Sequence, residues 1–155
     1  MNMQMRQEYL VSTAIFLTVA AVAVLWFLIP RVDNFGAISS SEVDRILYNR
    51  LDEYERAYEE NAELQAIVTT ALSNPDALTP AERQTYLVHE RKFLAGWETA
   101  LAYRTAGYFD PDRFEVWDEW YISEVMRRPR FAWTENKEHF AGSFIRHVDE
   151  TLAQR

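Results

Sequence analysis

The stretch from Leu10 to Pro30, LVSTAIFLTVAAVAVLWFLIP, runs for 21 residues without one ionisable group. At 1.5 Å of rise per residue, a helix of that length spans about 30 Å, the thickness of a bilayer's hydrocarbon core. Tyr9 precedes the run and Trp26 lies near its far end, which places amphipathic rings at both expected interfaces. Ser12, Thr13 and Thr18 can bond back to carbonyls of their own helix. The sequence therefore predicts one membrane-spanning helix over 10–30 behind a short tail, 1–9. The rival is a cleaved signal peptide, whose apolar core is about 7 to 15 residues long and ends in a small-residue site. Ala21-Val22-Ala23 is followed by Val24-Leu25-Trp26-Phe27-Leu28, so cleavage there would leave a large apolar stub. Ala14, Thr18 and Ala21 gather small side chains on one side of the helix, a surface that a second membrane helix could approach closely. The plainer reading of that stripe is that Ala is common in any membrane helix.

The rest of the chain reads as an all-α domain. Arg31 to Ser40 is polar and turn-rich, a short linker, and residues 41–155 carry about four amphipathic helices. Ser39 with Glu42 forms a capping box, so a first helix should start near Ser40 and run to about Leu72, where Ser73-Asn74-Pro75-Asp76 stops it. Its apolar stripe includes Val43, Leu47, Leu51, Tyr54, Tyr58, Leu64, Ile67 and Ala71. Thr79-Pro80-Ala81-Glu82 combines an N-cap hydroxyl, a proline at the first helical position and a glutamate three residues after the cap. A second helix should follow to about Ala106, with Gly107 as its left-handed stop. Asp110-Pro111 opens a third, bearing Phe114, Trp117, Trp120, Tyr121 and Val125 and ended by Pro129. Thr134 is the expected cap of a fourth, with Phe140, Phe144, Ile145, Val148 and Leu152.

From Phe93 to Phe144 there are 13 aromatic residues in 52. Rings at helical spacing either build the core or exceed it and anchor a partner protein. The candidate partner contacts are Trp97, Trp117, Trp120, Tyr121 and Trp133, joined by the basic cluster Arg127, Arg128 and Arg130. That cluster also suits a helix C-terminus, where cations offset the macrodipole, and Asp118, Glu119 or Glu124 can neutralise it.

Several chemistries fall away. The chain has no Cys, hence no disulfide framework, thiolate metal site or Cys nucleophile. With 16 basic and 24 acidic side chains its formal net charge is -8, unsuited to coating phosphates, so no nucleic-acid partner is expected. His89 lacks a second His four residues on, and Glu135, Glu138 and His139 fail the Glu-x-x-His spacing of di-iron bundles. Neither a metal nor a cofactor is expected. Glu90 and Arg104 lie on the apolar side of the second helix, where a charge needs a partner, for instance Arg104 with an acid of the third helix. His147 borders Phe144 and Val148 as a core-edge histidine. The sequence thus points to a non-enzymatic, single-pass membrane protein: an accessory, assembly or scaffolding subunit of a larger membrane complex, of which respiratory and photosynthetic complexes offer class analogies. The alternative is a membrane-tethered sensor or enzyme using Glu90, Arg104 and His147 around a pocket in the bundle.

Topology follows from the positive-inside rule, which counts Lys and Arg near the helix ends. Arg6 stands on one side, and Arg31, Arg45 and Arg50 on the other, which places the helical domain in the cytoplasm. A fluorescent protein fused after Arg155 should be bright, and an alkaline phosphatase fusion at the same point should be inactive. The reverse pattern would put the domain outside the cytoplasm.

Overall fold

The structure, a computed structural model, describes residues 39–155. The apolar run 10–30 lies outside the described residues, as do Ala14, Thr18 and Ala21. Among the described residues no helix is long and apolar enough to cross a membrane. They form six α-helices and no strand: α1 Ser40–Glu59, α2 Ala62–Ser73, α3 Pro80–Thr105, α4 Pro111–Met126, α5 Arg130–Thr134 and α6 Gly142–Ala153. Single 3-10 turns occupy Pro75–Ala77 and Lys137–His139.

Local capping chemistry sets most of these boundaries. The Ser39 hydroxyl accepts the Glu42 amide at 3.3 Å and starts α1. At α3 the reciprocal box is complete: the Glu82 amide donates to Thr79 Oγ1 at 3.3 Å, and the Thr79 amide donates to Glu82 Oε2 at 2.8 Å. The same helix ends in a Schellman motif, with the Tyr108 amide on the Tyr103 carbonyl and the Gly107 amide on the Arg104 carbonyl. Gly107 has φ +78°, the left-handed conformation that a side chain would strain. Asp110 caps α4 by accepting the Asp112 and Arg113 amides.

Three expectations need correcting. The helix foreseen from Ser40 to Leu72 is two helices, broken at Glu60 and Asn61. Asn61 accepts the Leu64 amide at 3.0 Å and starts α2, while the Gln65 side-chain amide donates to the Tyr58 and Glu59 carbonyls that end α1. Thr134 is the last residue of the short helix α5 and does not cap the final helix. That helix begins at Gly142, and the Ala141 amide at its entrance donates to Glu98 Oε1 of α3 at 2.8 Å. Six helices therefore replace about four, because α1–α2 is split and Arg130–Thr134 makes an extra turn.

The helix α3 is the axis of the domain, and α1, α2, α4 and α5 pack on it. Its buried positions, Tyr86, Leu87, His89, Glu90, Phe93, Leu94, Gly96, Trp97 and Ala100, spread over more than one stripe, as expected for a helix with neighbours on several sides. The main core joins Trp97 to Tyr121 in a parallel stack at 5.8 Å and to Phe144 edge-on at 5.4 Å, with Val43, Leu47 and Val148 closing around them. A smaller cluster of Ile67, Ala71, Tyr86 and Ala132 seats α2 and α5.

Close approach of α3 and α4 depends on Gly96. A Cβ there would lie 2.5 Å from Tyr121 Oη, at the end of a rigid ring buried in the core. Alanine would favour the helix by about 1 kcal/mol over glycine, whereas overpacking a filled core costs about 1–3 kcal/mol. Gly96→Ala should therefore destabilise the domain by about 1 kcal/mol, and by no more than about 2 kcal/mol, in urea melts. A variant as stable as the parent would contradict this helix contact.

Candidate functional site

The interior of the bundle holds a charge. Glu90 sits on α3 among Tyr86, Phe93 and Trp97 and is only 2% exposed. An isolated carboxylate there would be strongly disfavoured, so partners must reach it. Arg128, just past the end of α4, donates from Nε to Glu90 Oε2 at 2.5 Å. Tyr54, on α1, donates its hydroxyl to Glu90 Oε1 at 3.1 Å. The guanidinium is held on its other edge by the Glu124 carbonyl at 2.6 Å and the Glu124 carboxylate at 3.1 Å, and it reaches the Tyr54 oxygen at 3.3 Å. Its carbon lies 4.1 Å from the centre of the Phe93 ring, a cation over an aromatic face.

Burial raises the Glu90 carboxyl above the usual carboxylate range, against the pull of Arg128 and Tyr54. Burial also opposes the charge on Arg128, but Glu90, Tyr54 and Glu124 outweigh it and the group stays protonated. The Tyr54 hydroxyl is pushed up by burial and by the neighbouring Glu90.

Beside this centre lie polar groups without partners. Both ring nitrogens of His89 and the Tyr86 hydroxyl are buried without a hydrogen bond. The His89 ring stacks on Tyr54 with centroids 4.1 Å apart. Burial first, then the charges of Lys92 and Arg128, bring its pKa down to about 4, so the imidazole is neutral at pH 7.

On the far side of the ion pair a groove of about 430 Å³ opens between α3, α4, α5 and α6. Leu94, Val125, Trp133 and Leu152 form its apolar wall, and Glu90 with Arg128 its inner end. Arg130, Lys137 and Asp149 also line it. Trp133 Nε1 donates to Asp149 Oδ1 at 2.7 Å, and Lys137 lies 3.3 Å from the same carboxylate.

The residues singled out from sequence fall in different places. Trp97, Tyr121, Trp117 and Trp133 are buried, and their rings pack on other parts of this domain. The Trp97 indole donates to Asp118 at 2.6 Å, the Trp117 indole to Asp44 at 3.0 Å. Trp120 is half-buried against Phe93 and Trp117. In the basic cluster, Arg127 is exposed and paired with Glu124, Arg128 points inward and Arg130 stands at the groove. The partner of Glu90 is thus Arg128, and Arg104 makes no ion pair among the described residues, contrary to the pairing suggested for it. His147 Nε2 lies 2.7 Å from Asp118 Oδ1. Neither Arg104 nor His147 lines the groove that Glu90 borders, so these three do not converge. Tyr54, His89, Lys137 and Asp149 were missed. An acid on the apolar side of α3 announces that some partner exists but does not say which distant residue it is. Among the described residues no group of three or more His, Asp or Glu side chains is placed to hold a metal ion.

The sign of the His89 term is set by its depressed pKa. Folded His89 binds a proton less readily than the unfolded chain, so its contribution is complete above pH 6.5 and is lost as pH falls towards 4. Between pH 7 and pH 5 it should remove about 2 kcal/mol of stability. His89→Phe keeps the stack on Tyr54 and should abolish that loss. Glu90 acts in the opposite sense, its stabilising term fading as pH rises, and comparing the two proteins subtracts it. Equal pH slopes in denaturant melts of the two proteins would refute the neutral, buried imidazole.

No family model, no curated protein and no solved structure matches this chain.

Proposed function

We propose that the chain is a single-pass, membrane-anchored accessory, assembly or scaffolding subunit, whose helical domain packs against another membrane protein or complex from the cytoplasmic side. The observation that carries this reading is the uncharged run from Leu10 to Pro30, long enough to cross a bilayer and followed after a short linker by a helical domain. The surface of that domain supports it. Tyr48 is 62% exposed and leans edge-on over Trp117 at 4.9 Å, and Val116 is 72% exposed one turn before Trp120. These exposed apolar side chains on α1 and α4 offer area that a partner could bury. Arg127 adds an exposed cation just past the end of α4 for an acidic partner surface or anionic headgroups.

A second reading, a membrane-tethered ligand sensor, draws on the groove beside Glu90 and Arg128. Alkaline carbonate washing followed by tag purification in mild detergent separates the possibilities. The chain should resist the wash and elute with one membrane partner at fixed stoichiometry, and Tyr48→Ser with Val116→Ser should release that partner while leaving the melt unchanged. Extraction by carbonate would remove the anchor. Elution as a monomer would remove the accessory role.

A further inference from the structure

We propose that the groove between α3, α4, α5 and α6 binds a small amphipathic carboxylate, its apolar body against Leu94, Val125, Trp133 and Leu152 and its single negative charge received by Arg130. The inference stands apart from the accessory role, since a domain docked on a partner can still hold a ligand.

Size comes first. A volume of about 430 Å³ falls in the lower part of the range of small-molecule sites, about 300–1,000 Å³. At the ~30 Å³ that a water molecule occupies in the liquid, it has room for roughly a dozen non-hydrogen atoms. The apolar wall suits hydrocarbon, and it includes one large ring, Trp133, held in place by its bond to Asp149.

Charge selects the head. Two acids and three cations line the groove. Both Glu90 oxygens are engaged, by Tyr54 and by Arg128, and both Asp149 oxygens are engaged, by Trp133 and by Lys137. Arg128 is already surrounded by Glu90, Glu124 and Tyr54. That leaves Arg130, whose side chain has no ion pair or hydrogen bond among the described residues. The groove therefore carries one uncompensated positive charge on a protein whose formal net charge is -8. A guanidinium is a planar fork that matches a carboxylate with two parallel hydrogen bonds, and one unmatched cation calls for a monoanion rather than a doubly charged phosphate.

The test uses octanoate and the full chain in nanodiscs of zwitterionic phosphatidylcholine, read on the ¹⁵N resonance of the Trp133 indole, so that ligand dissolved in the bilayer does not contribute. Octanoate should shift that resonance saturably. Octanol and acetate, each lacking one half of the ligand, should bind at least about tenfold more weakly. Arg130→Gln, at the exposed first residue of α5, should weaken octanoate by about tenfold or more and leave octanol unchanged. Ala153→Trp, at an exposed position on the groove's rim, should block both. Octanoate binding no tighter than octanol, or equally tight to the Arg130→Gln protein, would overturn the proposal, as would octyl phosphate binding more tightly than octanoate. Should Arg130→Gln lose the parent's indole spectrum, the Ala153→Trp protein decides alone: unchanged octanoate affinity there places the ligand elsewhere.

Discussion

A carboxylate one turn before Phe93, in the middle of the central helix, constrains how the rest of the domain can close. Removing one partner of a buried ion pair typically costs about 3–5 kcal/mol, because the other charge is left behind. Glu90 is answered from two directions, by Tyr54 on α1 and by Arg128 beyond α4. Those two contacts reach the same helix from elements 36 and 38 residues away in sequence. The angle at which α1 crosses α3 and the point at which the chain leaves α4 are thus tied to a single side chain. Hydrophobic burial supplies the stability, but it is non-directional, and apolar contacts between α1 and α3 would tolerate other registers. The hydrogen-bonded carboxylate tolerates few, so it acts here as a register pin.

The pin also explains the unusual neighbours. Tyr54, drawn to Glu90, lays its ring on the neighbouring His89 and against Phe93 one turn further on. The imidazole is covered without a hydrogen-bond partner and stays neutral. The guanidinium that bonds Glu90 also lies over the ring of Phe93, one turn further along the helix.

How much of this could be read from the chain depends on the range of each interaction. The cap at Thr79, the Schellman stop at Gly107 and the Asp110-Pro111 start were legible because each closes within a few residues. The break at Glu60 and Asn61 was legible in principle, since no large apolar residue stands between Tyr58 and Leu64 and Asn61 is a strong N-cap, but the longer stripe hid it. Thr134 had the right chemistry for a cap and the wrong place. The chain makes a short helix and a 3-10 turn there, and Glu98 of α3 bonds the amide at the true entrance of α6. The Glu90 to Arg128 pair was half legible: the acid declared that it needed a cation, and only the packing of α4 on α3 decided which one. The groove was not legible at all, because its lining comes from α3, the end of α4, α5 and α6, and no local pattern records that they meet.

The same logic separates the inside of this domain from its outside. Trp97, Tyr121 and Phe144 pack on one another, and the indole nitrogens of Trp97, Trp117 and Trp133 are each turned to a carboxylate of the domain, Asp118, Asp44 and Asp149. Each large ring can lie deep while its one polar atom is satisfied at the edge of the core, where the acid keeps contact with water. The acidic composition thus has an internal use, with several carboxylates serving as acceptors for indoles. What this arrangement leaves over at the surface is Tyr48 and Val116, large apolar side chains that the core does not enclose, and Arg130, a cation beside a groove whose other charges already have partners.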